Sequence, residues 1–194
     1  MKNCLGCHGL KYVMYKNLAE GIGIVHNDIV DESYIKNNWT FNDDSNINDK
    51  ILSPIDKKDA LDWFGVIPPD LSLVTRYRGS DWVYTYLKSF YKDDNKTWGV
   101  NNLIFVDVAM PHVLNSIQGN QILDKDGHLN LIKEGSLDSK DYDIVVSDLV
   151  NFLTYVGDPV KEKREIIGIY VLLFLFLFSI LSYFLKREFW KDIK

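Results

Sequence analysis

Residues 4–8 read CLGCH, in which two cysteines three positions apart are followed at once by a histidine. This C-x-x-C-H pattern is typical of c-type haem attachment. Two thiols at this spacing on one helical turn can both form thioethers with the haem vinyl groups, and the histidine is then held beneath the iron as its proximal ligand. The pattern predicts that Cys4 and Cys7 attach one haem c and that His8 ligates its iron.

Other interpretations of the cysteine pair stay open from the motif alone. A redox dithiol would need a preceding strand in a thioredoxin-like sheet. A zinc site would need further cysteines, and the chain has only two. A functional hypothesis of a different class is a haem-free, membrane-anchored binding module in which Cys4 and Cys7 form a disulfide.

The sixth iron ligand must come from the opposite face of the haem. The chain has three methionines. Met1 precedes the motif and Met14 lies in the turn just after it, which leaves Met110 as the methionine able to reach the distal face. Pro111 stiffens the loop of Met110. Met110 is therefore the predicted distal ligand, and His112 is the alternative.

Residues 166–185 read IIGIYVLLFLFLFSILSYFL, a run of twenty residues without a charge. As a helix, this run covers about 30 Å, the thickness of the hydrocarbon core of a bilayer. A core helix of a globular domain would rarely be apolar on every face, so one membrane anchor is predicted. Basic residues flank both ends of the run, and their count favours a cytoplasmic C-terminus.

The charge of the chain is divided unevenly. Hydrophobic residues make up 46% of its 194 residues, as in globular proteins. Residues 1–160 carry 15 basic and 23 acidic side chains, a net charge of −8, whereas residues 161–194 carry 7 and 4, a net charge of +3. This balance argues against a nucleic-acid partner. Aspartates in predicted loops either only solvate the surface or, if they surround the exposed haem edge, steer a basic protein partner: Asp43, Asp44, Asp124, Asp126, Asp138, Asp141 and Asp143.

The remaining periodicity predicts a mainly α head domain with long loops and a small β-hairpin. Its predicted elements are a helix over 71–78 between Asp70 and Gly79, a helix over 81–91 capped by Ser80, a hairpin over 121–132, a helix over 144–156, and a solvated loop over 37–59.

Several segments, taken in order, resemble bacterial cytochrome c1. They are CLGCH at 4–8, WFGVIPPDLSLVTRYRG at 63–79, DWVYTYLKSFY at 81–91, GVNNLIF at 99–105, AMPHVL at 109–114 and the C-terminal anchor. The resemblance implies a cytochrome c-like haem domain on the periplasmic side of the cell inner membrane. It also implies a place in the quinol:cytochrome c oxidoreductase of the respiratory chain, beside cytochrome b, with electrons arriving from the Rieske iron-sulfur protein and leaving to a cytochrome c.

The resemblance also implies pocket residues. Pro69 and Arg78 would line the haem pocket, and Arg78, the second arginine of an R-x-R pattern, would pair with a haem propionate. Trp82 stands where the family commonly has tyrosine. No catalytic residue is implied, because the chain would be an electron-transfer subunit and not an enzyme on its own. An anchored monohaem cytochrome that donates directly to an oxidase is the alternative.

The expected organisation is a haem domain over 1–160, an anchor over 166–185 and a cytoplasmic tail over 186–194. Members of the family carry a cleavable signal and a helix ahead of the haem motif, whereas three residues precede Cys4 here. We expect the reading frame upstream of Met1 to be open and to encode both.

Overall fold

Short helices and short strands alternate along most of the chain and a long helix closes it. The structure, a computed structural model, describes residues 2–26, 29–40 and 45–192. The helices are α1 Lys2–Leu5, α2 Tyr15–Gly21, α3 Glu32–Trp39, α4 Lys57–Phe64, α5 Val74–Arg78, α6 Ser80–Lys88, α7 Asn115–Gln118, α8 Ser139–Gly157 and α9 Lys161–Phe189. The strands are β1 Leu10–Met14, β2 Val25–His26, β3 Ile29–Val30, β4 Lys50–Ile51, β5 Phe90–Lys92, β6 Val100–Asn102, β7 Gly119–Leu123 and β8 Leu129–Glu134.

Helix α8 lies at the centre of the head unit, the compact unit that ends at Gly157. Its residues Tyr142, Val146 and Val150 recur at intervals of four and are buried, so they form one apolar face. Helices α5 and α6 pack against α8, and α6 contributes Val83 and Leu87 to the same core. Burying each such aliphatic side chain contributes about 1.5–3 kcal/mol relative to exposure.

The predicted helix over 144–156 exists but begins five residues earlier, at Ser139. The carboxylate of Asp138 accepts hydrogen bonds from the amides of Lys140 and Asp141 at 2.9 and 2.8 Å. These bonds satisfy amides that the first turn of a helix leaves without partners. A cap at Asp138, which the hydrophobic pattern did not reveal, therefore sets the start of α8.

The predicted hairpin over 121–132 is confirmed, since β7 and β8 pair antiparallel. The prediction of a single hairpin is wrong, because three further antiparallel pairs occur among the described residues: β1 with β4, β2 with β3, and β5 with β6. Most of these strands have two or three residues, too few for an alternating pattern to be visible in the sequence.

Two predicted helices are shorter in the structure. The helix predicted over 71–78 begins only at Val74, because the carboxylate of Asp70 accepts hydrogen bonds from the amides of Lys11 and Ser72 at 2.7 and 3.0 Å. The helix predicted over 81–91 starts at Ser80, which makes no cap bond, and ends at Lys88. Its last predicted turn is strand β5 instead, paired with β6.

The predicted solvated loop over 37–59 is wrong in part. Its ends belong to α3 and α4, and its middle forms β4. Trp39, Ile47 and Ile51 are buried in the core. Isolated apolar residues in an Asn/Asp-rich segment give no periodic signal, so their burial could not be predicted. Residues 41–44 lie outside the described residues.

The chain divides into two compact units, Met1–Gly157 and Asp158–Lys194. The second unit contains α9, whose 29 residues include the predicted run over 166–185 and none of which is buried. By length and composition, α9 is the one helix of the described residues that could cross a membrane. Arg164 closes its first turn by donating to both carboxylate oxygens of Asp158, at 2.9 and 2.6 Å.

Candidate functional site

The two cysteines and the histidine of the CLGCH motif lie in one turn that follows α1. The amides of Cys7 and His8 both donate to the carbonyl oxygen of Cys4, at 3.1 and 2.9 Å. Leu5, between the cysteines, is 4% exposed and anchors the turn in the core. Both cysteines are half-buried free thiols, so no disulfide joins them. The turn presents two thiols and an imidazole together, as covalent haem attachment requires.

Burial raises the pKa of the thiols of Cys4 and Cys7 above the ordinary value. Both cysteines are therefore protonated at neutral pH. Redox dithiols of the thioredoxin type depend on a thiolate of lowered pKa, so the electrostatics of this turn oppose the redox-dithiol alternative.

The imidazole of His8 is held by a residue distant in sequence. Its Nδ1 lies 2.7 Å from the carbonyl oxygen of Pro69, which can only accept, so Nδ1 carries the proton and donates. Burial lowers the pKa of His8, against the opposing effects of the Pro69 hydrogen bond and of Asp70. His8 is thus neutral at pH 7, with the lone pair of Nε2 free for a metal ion.

The chain around the motif is fixed by two other segments. The amide of Leu71 donates to the carbonyl of Gly9 at 2.9 Å, and the hydroxyl of Ser53 donates to the carbonyl of Cys7 at 2.8 Å. A Cβ on Gly9 would lie 3.0 Å from the nitrogen of Ser53 and 3.1 Å from Oδ2 of Asp70. Glycine after His8 therefore permits the close packing that holds the motif.

Met110, the predicted distal ligand, is half-buried and lies beside a group of aromatic rings. The hydroxyl of Tyr86 donates to its Sδ at 3.4 Å. We name Trp82, Tyr86, Phe90 and Phe105 the aromatic cluster. The ring of Tyr86 is stacked on Trp82 at 5.1 Å and meets Phe90 and Phe105 edge to face at 5.2 and 6.3 Å.

Arg78 adjoins the aromatic cluster. Its guanidinium lies over the rings of Trp82 and Phe105, at 4.9 and 5.9 Å, and is exposed to solvent. A planar cation held in this way is suited to a carboxylate such as a haem propionate. Arg78, Trp82, Tyr86 and Met110 thus form one continuous series of contacts.

His112, the alternative ligand, has a different environment. Its ring stacks on Phe90 with centroids 4.8 Å apart and planes inclined by 1°. It lines a cavity of about 220 Å³ together with Asn115 and Gln121. Burial lowers the pKa of His112 to about 4, and its Nε2 has no hydrogen-bond partner among the described residues. His112 is neutral and remains chemically competent as a ligand.

The segment over 103–106 carries four apolar side chains in a row that are 37–67% exposed: Leu103, Ile104, Phe105 and Val106. Phe105 contacts Arg78 and Trp82, so this apolar surface adjoins Arg78 and the aromatic cluster. A contiguous apolar surface of this kind marks a binding site for an apolar partner. The side chains present therefore fit a haem, since they offer two free thiols, a neutral imidazole, a thioether and an uncovered apolar wall.

Two asparagines that the sequence analysis missed hold this wall. Oδ1 of Asn102 accepts from the amides of Ile104 and Phe105 at 3.1 and 3.2 Å, and its Nδ2 donates to the carbonyl of Tyr86 at 2.8 Å. Oδ1 of Asn101 accepts from the amide of Asp107 at 2.9 Å. The adjacent Asn-Asn pair inside the GVNNLIF segment was the available signal.

The acidic loop residues differ in what they do. Asp124 accepts hydrogen bonds from the amides of Asp126 and His128, and these bonds lower its pKa. Asp143 pairs with Lys88 at 2.5 Å. The prediction that Asp141 and Asp143 lie in a loop is wrong, because both belong to α8. Asp43 and Asp44 lie outside the described residues.

Known proteins resemble the whole chain. The Cytochrome C1 family matches residues 1–193. A cytochrome c1 of Allochromatium vinosum is 48% identical over 204 residues, which cover 100% of this chain and 81% of that protein. An ammonia monooxygenase gamma subunit of Nitrosomonas europaea is 44% identical, covering 98% of this chain and 78% of its own. A cytochrome c1 of Rhodospirillum rubrum is 27% identical over residues that cover 98% of this chain and 78% of that protein.

Proposed function

We propose, from the premise that this chain belongs to the cytochrome c1 family, that it carries one covalent haem c and transfers single electrons within a quinol:cytochrome c oxidoreductase. Family membership makes it a c-type cytochrome of a respiratory electron-transfer complex. Helix α9 fits a single-pass membrane anchor. The observation that carries the proposal is the neutral His8 bonded to Pro69, in the same turn as two free thiols.

The cysteines would attach the cofactor. Each thiol of Cys4 and Cys7 adds across one vinyl group, so that a carbon–sulfur bond forms and the thiol hydrogen passes to the other vinyl carbon. When bound, the haem supplies an iron that alternates between the ferric and ferrous states, one electron at a time. The cysteines then fix the orientation of the ring and prevent its loss.

The iron would be held by His8 and Met110. The carbonyl of Pro69 keeps the proton of His8 on Nδ1, so that Nε2 points its lone pair away from that bond. A thioether opposite a histidine favours ferrous iron and a high reduction potential. Arg78 would hold a propionate, and Trp82 supports the guanidinium of Arg78 by stacking.

The partners follow from the family. The Rieske iron-sulfur protein would donate the electron, a cytochrome c would accept it, and cytochrome b would be the membrane partner. The acidic balance of residues 1–160 supports a basic acceptor. The basic residues around α9 support an inner-membrane orientation with the haem domain in the periplasm and residues 186–194 in the cytoplasm.

Covalent attachment is tested with the full chain, produced with an export signal and a c-type maturation system. The protein should keep its red colour on a denaturing gel and gain the mass of one haem. A double variant, Cys4→Ser with Cys7→Ser, should lose both, whereas Ser147→Ala, a change of one hydroxyl on α8, should lose neither. A double variant that retains haem on the denaturing gel would refute the attachment.

The place in the complex needs a separate test. Affinity purification of the haem-loaded chain from its native membrane should recover cytochrome b and the Rieske protein. Recovery of a terminal oxidase without cytochrome b would instead assign the chain to direct donation to an oxidase.

A further inference from the structure

The hydroxyl of Tyr86 has an unusual hydrogen-bond partner. It donates to Sδ of Met110 at 3.4 Å, and no other partner of this hydroxyl occurs among residues 2–26, 29–40 and 45–192. A thioether is a weak acceptor, so a half-buried phenol would ordinarily be expected to donate to a stronger oxygen acceptor. The pairing places a phenol donor at the sulfur of Met110, the atom that would bind iron.

The ring of Tyr86 is fixed on several sides. It is stacked on Trp82, and the edges of Phe90 and Phe105 meet it. Its backbone is held as well, because the carbonyl of Tyr86 accepts from Nδ2 of Asn102 at 2.8 Å. The hydroxyl therefore has one orientation, and a donor fixed in advance can orient its acceptor at little entropic cost.

The chemistry of sulfur allows the hydrogen bond and iron ligation together. A thioether sulfur has two lone pairs, of which one can bind iron while the other accepts the phenol proton. The hydrogen bond withdraws electron density from the sulfur and weakens its donation. Weaker donation by the sulfur destabilises ferric iron more than ferrous iron, since ferric iron carries the higher charge. The hydrogen bond thus favours the reduced state.

We propose that Tyr86 is a positioning residue whose hydroxyl orients the Met110 thioether and raises the reduction potential of the haem. The inference rests on the proposed function, in which Met110 is the distal ligand. It adds a residue that neither the attachment motif nor the family resemblance assigned.

Helix α6 supplies a matched control. Tyr84 lies two positions before Tyr86 on the same helix, but its hydroxyl accepts a hydrogen bond from Nζ of Lys88 at 3.2 Å. Tyr86→Phe and Tyr84→Phe each remove one hydroxyl from α6 and leave the ring. Only the first removes the donor to Met110.

The test uses the haem-loaded full chain in detergent. Tyr86→Phe should lower the equilibrium constant for reduction threefold to tenfold, which is about 28–59 mV for one electron. It should also shift the weak sulfur-to-iron absorption band of the oxidised protein. Tyr84→Phe should change neither property. In a Met110→Leu background, Tyr86→Phe should have no further effect on the potential.

Each outcome separates this inference from the proposed function. If Met110→Leu alters the band and the potential while Tyr86→Phe matches Tyr84→Phe, the role of Tyr86 is overturned and the ligand assignment stands. If Met110→Leu alters neither, the ligand assignment fails and this inference fails with it. Should Tyr86→Phe not mature, proton NMR of the unmodified ferrous protein decides, since the Tyr86 hydroxyl proton should show a cross-relaxation peak to the Met110 methyl group. Absence of that peak overturns the role of Tyr86.

Discussion

The carbonyl oxygen of Pro69 lies 2.7 Å from Nδ1 of His8, although 61 positions separate the two residues in the sequence. Proline fixes its own φ near −65°, and Pro68 restricts the same stretch of backbone. The two prolines thus restrict the backbone that carries the Pro69 carbonyl, and His8 receives its tautomer and orientation from the bond to that carbonyl. The part of the candidate site that contains His8 is thus ordered by the protein itself.

Pro69→Gly should weaken this bond, because glycine keeps the carbonyl but frees the backbone that aims it. A less firmly bonded imidazole is a weaker donor, which disfavours ferric iron and raises the potential. We expect a rise of up to tenfold in the equilibrium constant for reduction, about 59 mV for one electron, in a potentiometric titration. Pro159→Gly, at an exposed proline just before α9, is the control. Equal potentials in the two variants would contradict the prediction.

Met110→Leu should leave the haem covalently attached, since attachment depends on the cysteines. It should abolish the weak sulfur-to-iron absorption band of the oxidised state and lower the reduction potential, because thioether ligation favours ferrous iron. Met14→Leu is the matched control, since Met14 is 38% exposed at the end of β1. A potential unchanged by Met110→Leu would redirect the search for the distal ligand to His112.

The pattern of two cysteines and a histidine could be recognised because it occupies five consecutive residues, and the structure brings these residues together in one turn. The membrane run over 166–185, the hairpin over 121–132 and most of α8 could be predicted because each leaves a periodic or compositional signal over ten residues or more. These signals are local, and they do not depend on how the rest of the chain folds.

The remainder depends on hydrogen bonds between distant residues. No pattern in the sequence pairs Tyr86 with Met110. Pro69 was singled out only by the family resemblance, and the structure shows that its contact with His8 is made by its backbone carbonyl. The predicted start of a helix at residue 71 failed for a related reason, because the Asp70 carboxylate bonds the amides of both Lys11 and Ser72, in a turn that precedes the helix. When a side chain has more than one available hydrogen-bond partner, the tertiary structure decides which partner it bonds.

Asn102→Ala should destabilise the head unit. Asn102 is fully buried, and its loss would leave the amides of Ile104 and Phe105 without partners and would remove one of the two donors to the carbonyl of Tyr86, which also accepts from the amide of Ser89. An unsatisfied buried group costs roughly 1–3 kcal/mol, so chemical denaturation should show a loss of about 2–4 kcal/mol. Asn95→Ala, at an exposed turn, should lose far less. A loss no greater than that of Asn95→Ala would show that water replaces the Asn102 bonds.

The Lys88–Asp143 ion pair predicts that the stability of the fold depends on pH in the alkaline range. Burial alone would lower the pKa of Lys88, but its bonds to Asp143 and Tyr84 outweigh burial and raise it above 10.5. A raised lysine pKa stabilises the fold fully below the unfolded value and loses that contribution as pH rises through the folded value. Both side chains are about a third exposed, so the contribution is about 1 kcal/mol or less.

Lys88→Met should therefore be less stable than the natural chain at pH 8, and the difference should narrow above about pH 10.5. Urea denaturation at the two pH values measures it. Lys92→Met is the control, because Lys92 pairs with Asp94 at the surface, where both side chains are more than half exposed. A difference between Lys88→Met and the natural chain that stays constant with pH would mean that packing of the lysine stem, and not its charge, is responsible.

The acidic head unit predicts a salt-dependent encounter with a basic cytochrome c. Among the predicted aspartates that the structure describes, Asp126 and Asp141 are exposed and can be changed without loss of a cap or an ion pair, whereas Asp124, Asp138 and Asp143 bond backbone amides or Lys88. Asp126→Asn with Asp141→Asn should slow the bimolecular rate of electron transfer and leave the reduction potential unchanged, because charge complementarity mainly accelerates encounter. Stopped-flow oxidation over a salt series measures the rate, and a potentiometric titration measures the potential. The rate of the natural chain should fall steeply as salt shortens the screening length to about 10 Å at 0.1 M, and that of the variant should fall less. A rate insensitive to salt in both proteins would mean that these aspartates only solvate the surface and that the acceptor docks through apolar contacts.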